Sequence, residues 1–221
     1  MRNQILLCAL VGAAALAGCG SKNEVSEDIL GAAVSKYLDQ TGNLCLGVTS
    51  WPVDVTPGEI DVANRTPGAG PAGKMRALES LGLVSAVDTE VVREGWGGAV
   101  RRYQVRRYKL SDAAKPYVRS WEIASFNPDG GPQTRTLTDL CWSKRVLDKI
   151  NGWEGPHRDT GFNVVVATYT YKLAQSAAWA NDAKLQAAFV GIKIAMDGAG
   201  KKQDFVSLNR TADGWKAQGT N

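Results

Sequence analysis

Three side chains able to exchange protons stand close together in Trp153-Glu154-Gly155-Pro156-His157-Arg158-Asp159. An imidazole flanked by carboxylates can move a proton in a hydrolysis if the three groups converge on one pocket. Gly155 and Pro156 instead predict a surface turn, which leaves the only His of the chain in water. A hydrolase using Glu154, His157 and Asp159 is therefore an alternative reading. After residue 19 there is no G-x-S-x-G, H-E-x-x-H or S-x-x-K spacing, so we predict no catalytic residues and no enzyme. One His and few Cys supply no complete metal site, and neither a metal nor a cofactor is expected.

Gly68-Ala69-Gly70-Pro71-Ala72-Gly73-Lys74 fits both G-x-G-x-x-G and the start of a phosphate-binding P-loop. A phosphate loop needs a strand before it, and Asp61–Pro67 does not read as one. Met75 stands where the P-loop needs Ser or Thr for magnesium, and Pro71 removes an amide donor. We expect a plain loop.

The cysteines carry more information. Cys19 closes an N-terminal segment in which Arg2 precedes the apolar run Ile5–Ala17. That run is shorter than the ~20 helical residues needed to cross a bilayer, and it suits a secretory signal. Leu16-Ala17-Gly18-Cys19 resembles the lipobox of bacterial lipoproteins. The resemblance implies cleavage before Cys19, lipid on its sulfur and acylation of its new amine. It implies a protein anchored in the cell envelope through lipid. In a Gram-negative cell, Gly20 would direct it to the outer membrane, facing the periplasm. Two or more acyl chains hold a protein stably on a membrane.

Cys8 leaves with residues 1–18, and residues 19–27 read as a polar tether. Cys45 and Cys141 remain, both between large apolar neighbours, in an oxidising compartment. We expect a disulfide joining them. Closing a loop of roughly 100 residues stabilises by up to ~4–5 kcal/mol in the chain-entropy model.

These residues must be positioned by an α+β framework. The chain has 221 residues, 44% hydrophobic and 22% charged, with net charge +4. That composition excludes collagen-like, coiled-coil and wholly disordered classes. Glu27–Gln40 has the helical period, with Ser26 to cap it and Gly42 to end it. Trp51–Gly73 is rich in Pro and Gly and predicts a long loop. Lys74–Leu81 reads as a short helix, and Val84–Val92 and Val100–Leu110 as strands about a Gly95–Gly98 turn. Ser111 is placed to cap a further short helix. Beyond Trp121 the pattern is mainly β: Thr138–Ser143, Val146–Trp153, Phe162–Leu173, Val190–Met196, Phe205–Leu208 and Trp215–Ala217, with a helix over Ser176–Phe189.

Met75-Arg76-Ala77-Leu78-Glu79-Ser80-Leu81-Gly82-Leu83-Val84 and Tyr108-Lys109-Leu110-Ser111-Asp112-Ala113-Ala114 resemble the recognition helix and wing of a winged-helix unit. The expected fold is thus a winged-helix-like part over 28–125, then a mostly antiparallel sheet with a covering helix over 126–221, and a Cys45–Cys141 bridge would pack the two as one unit. Arg93, Arg101, Arg102, Arg106, Arg107 and Lys109 make the wing basic. In the cytosol this would suggest DNA, and a DNA-binding protein is the second alternative if the lipobox is false. The signal segment speaks against a nucleic-acid partner. It leaves anionic envelope polymers or an envelope protein as partners, met by Trp96, Arg101 and Arg102. The leading reading is a non-enzymatic binding or scaffolding module on the membrane.

Overall fold

The computed structural model describes residues 25–127, 130–156 and 163–218, except the Trp96 side chain. It is a mixed α and β fold with antiparallel sheets. Helix α1 spans Glu27–Thr41; the Ser26 hydroxyl accepts from the Ile29 amide at its start, and Gly42 ends it. Strands β1 (Asn43–Cys45) and β2 (Val53–Val55) follow. Next come helices α2 (Pro57–Arg65) and α3 (Gly70–Ser80). A hairpin of β3 (Val84–Glu94) and β4 (Val100–Leu110) leads into a short 3₁₀ turn at Asp112–Tyr117. A second hairpin joins β5 (Val118–Asn127) to β6 (Gly131–Glu154). The chain closes with β7 (Val164–Ala174), α4 (Ala183–Ala188), α5 (Val190–Gly198), β8 (Gln203–Thr211) and β9 (Gly214–Ala217).

Two sheets result. The smaller has the order β2-β4-β3; the larger runs β1-β6-β7-β8-β9, with β5 also on β6. Two apolar clusters support them. In one, Leu30, Val34 and Leu38 of α1 pack on Val165, Ala167, Val206, Leu208 and Trp215 of the larger sheet. The other gathers Val55, Met75, Leu78, Tyr108, Leu140, Trp142, Leu185 and Ile192 from both sheets and three helices. Burying a large aliphatic side chain contributes roughly 1.5–3 kcal/mol, so this second cluster is what welds the small sheet to the large one.

The residues expected as a loop over Trp51–Gly73 form β2, α2 and the first turn of α3. Thr56 and Glu59 make a reciprocal capping box, with Pro57 at the first helical positions. Pro71 likewise lies in the first positions of α3. Proline lacks only an amide that is unpaired there anyway, so it starts a helix as readily as it breaks one. Val190–Met196 is the helix α5, not a strand. Its alternating β-branched residues suggested a period of two, yet it buries Ile192 and leaves Val190 and Ile194 outside; packing overrides local preference. Ser111 does not cap the turn after it. Its hydroxyl instead donates to the Gly82 carbonyl and its amide to that of Leu83. The expected strands 138–143 and 146–153 are one continuous strand, β6.

Packing contacts connect residues 28–125 with residues 126–221. Helix α1 covers the larger sheet, whereas Leu185 and Ile192 of α4 and α5 join the cluster under the smaller one. The pairing of Val118 with Leu140 and of Ile123 with Arg135 carries the β5–β6 ladder across the expected boundary.

Candidate functional site

The β3–β4 ladder runs without a bulge from Val84↔Leu110 to Glu94↔Val100. Its turn is closed by Gly97 and Gly98, both at φ near +78°, a backbone region open to glycine at little cost. Trp96 lies in this turn. Residues opposite one another share a face, and neighbours along a strand alternate between faces. The register therefore sorts the charges. One face receives Arg93, Arg101, Arg107 and Lys109, together with Val87 and Tyr103. The other receives Asp88, Glu90, Glu94, Arg102 and Arg106.

The second face is internally compensated. Arg102 Nη1 donates to Glu90 Oε1 at 2.7 Å. Arg106 lies 3.0 Å from Glu79 of α3 and 3.5 Å from Asp88. The first face is not compensated. Among the described residues the carboxylate on the ladder's first face is Asp54, which pairs with Arg107 on the Asp54↔Arg107 rung of β2 and β4. Arg107 holds it through two bonds, Nε to Oδ1 at 2.7 Å and Nη2 to Oδ2 at 2.9 Å. That guanidinium keeps the Asp54 carboxyl below its usual range. Toward the tip, Arg93 and Arg101 sit directly opposite each other, with the Arg93 guanidinium 6.0 Å from the centre of the Tyr103 ring. Like charges directly opposite on a sheet repel, and an anion laid between them relieves that repulsion.

Arg101 and Arg102 are thus separated by the register. They point to opposite faces, and Arg102 is already paired. The residues that join Arg101 are Arg93 and Tyr103, which residue type alone did not single out. The signal was present: counting back from a turn at Gly95–Ala99 pairs 94 with 100 and hence 93 with 101.

The other expected residues are distributed as follows. Cys45 and Cys141 face each other across β1 and β6 and are joined as a disulfide, 96 residues apart in sequence. Beside it, Asp139 is buried and accepts from the amides of Gly47 at 2.7 Å, Val48 at 3.2 Å and Leu140 at 2.7 Å. Burial pushes its carboxyl up against the opposing pull of these amides. Glu154 is exposed at the end of β6. His157, Asp159 and Cys19 lie outside the described residues. Among the described residues no helix is long and apolar enough to cross a membrane, and no three His, Cys, Asp or Glu side chains gather as metal ligands. The chain matches no family model, no curated protein and no solved structure.

Proposed function

We propose that this protein is a lipid-anchored envelope module that binds an anionic polymer or acidic protein face without catalysing a reaction. The lipobox-like Leu16–Cys19 supports the anchor. The observation that carries the binding reading is the charge sorting on the β3–β4 hairpin. Four cations face one carboxylate on one side, whereas the cations on the other side are matched by acids. Electrostatic complementarity of this kind speeds and orients encounter with a polyanion, and its effect falls with salt.

Paired charge reversals test it. In the purified protein, Arg101→Glu weakens binding to polyphosphate and poly-glutamate and flattens the salt dependence; Arg102→Glu leaves both nearly unchanged. Equal losses from the two variants would remove the one-sided surface. Radiolabelled fatty acid incorporated in the wild type and lost in Cys19→Ser supports the anchor; a wild type without label ends that part of the proposal.

We further read β2–α2–α3–β3–β4 as a winged-helix-like unit. Its support is the chain order of strand, two helices and hairpin, with the first strand paired to the last in the order β2-β4-β3.

A further inference from the structure

A hollow of about 480 Å³ opens between α2, α3 and α4, within the 300–1,000 Å³ usual for small-molecule sites. Its walls are small. Ala63, Ala77 and Ala187 line it, with Gly68 and Gly73 at the α2–α3 connection. A Cβ on Gly73 would run into the Gly68 backbone, so this connection folds tightly against α3 and cannot fill the space.

Two cations reach the hollow, Arg76 from α3 and Lys184 from α4, and no carboxylate lines it. Arg76 Nη1 donates to Asn64 Oδ1 at 2.7 Å, a neutral partner that fixes the guanidinium without cancelling its charge. Neither cation forms an ion pair among the described residues.

A second hollow, also about 480 Å³, shares Ala187 with the first and continues along Ala183, Val190 and Ile194. Val190 is 63% and Ile194 62% exposed, unusual for β-branched aliphatic residues side by side on a helix. The charged pair beside them, Lys193 and Asp197, is self-compensating at 2.8 Å. The surface is therefore a trough with two unpaired cations at one end and an apolar floor running away from them.

We propose that this trough binds a free single-chain anionic amphiphile, with its carboxylate at Arg76 and Lys184 and its hydrocarbon chain along Ala187, Val190 and Ile194. Charge complementarity selects the head group, and the exposed aliphatic floor selects the chain. This site lies apart from the hairpin face and does not depend on that reading.

The test is an amide-resonance titration of the full chain carrying Cys19→Ser, which excludes lipid of its own, with decanoate, decanol and acetate. Decanoate is expected to shift Ala77, Ala187 and Ile194 saturably, and to bind about tenfold more tightly than either control. Arg76→Gln with Lys184→Gln should weaken decanoate about tenfold while leaving decanol unchanged. Ala187→Trp, at an exposed position, should block it; a thermal melt checks that each variant folds. Equal affinity for decanol and decanoate, equal affinity for acetate and decanoate, or undiminished binding in Ala187→Trp would each overturn the proposal. So would the absence of saturable shifts.

Discussion

The molecule presents two long antiparallel ribbons, β3–β4 and β5–β6, that resemble each other as backbone and differ in how they are held. Two strands alone are at best marginally stable in water, so each ribbon depends on its base. The base of β5–β6 is clamped where β6 enters the larger sheet, by the Cys45–Cys141 bridge and the buried Asp139. The base of β3–β4 is clamped by Tyr108 in the shared core and by the Asp54–Arg107 pair. The ribbons also carry different cargo. Beyond its base, β5–β6 exposes Trp121, Ile123 and Phe126 and bonds Ser120 to Thr138 across the strands at 2.9 Å. The β3–β4 ribbon segregates charge. The same ladder geometry thus carries a covalent tie at one base and face-sorted charge on the other ribbon.

Removing the bridge should break this contrast most severely. Cys45→Ala with Cys141→Ala is expected to cost about 2–5 kcal/mol in denaturant unfolding, with faster amide exchange in β5–β6 than in β3–β4. Equal acceleration in both ribbons would mean that the bridge holds the whole fold rather than one base. Asp139→Ala should cost less, about 1–3 kcal/mol, by leaving buried amides unpaired. It is expected to loosen residues 46–48 first.

Acid separates the two bases by sign. Asp54 has its folded pKa lowered below 3.8. Its contribution is present above pH 3.8 and is lost as pH falls through the folded value. Asp139 has its folded pKa raised above 3.8. The unfolded chain ionises first there, so this residue's contribution falls as pH rises from 3.8 through the folded value. Carboxyl-carbon NMR titrations should place the two residues on opposite sides of 3.8; the same side for both would contradict the electrostatics of one base. The smallest expected effect is at high pH. Burial and the nearby Asp204 push the Tyr169 hydroxyl up to about 12. An ultraviolet titration should therefore lose its last phenolic step in Tyr169→Phe.

Several parts of this arrangement were legible in the chain. Helix α1 with its Ser26 cap and the β3–β4 hairpin follow from local rules of period, capping chemistry and turn glycines, and the pairing of Cys45 with Cys141 follows from cysteine count and compartment. Helix α2 was equally local, written in Thr56, Pro57 and Glu59, but a count of Pro and Gly concealed it. Helix α5 was not legible, because Val190, Ile192, Ile194 and Met196 alternate as a strand would. Its conformation depends on what Ile192 is buried against.

The expected contact residues mark the same limit. Residue type supplied the cations, and sequence alone determined that this segment is basic. Which cations act together was decided by register, since moving one residue along a strand reverses the face. The partition of Arg102 to Glu90, and of Arg106 to Glu79 and Asp88, required β3 and α3 to be in place. The trough between α2, α3 and α4 is tertiary throughout. Sequence set its lining in two distant segments, 63–80 and 184–187, and only the packing of three helices made them one surface.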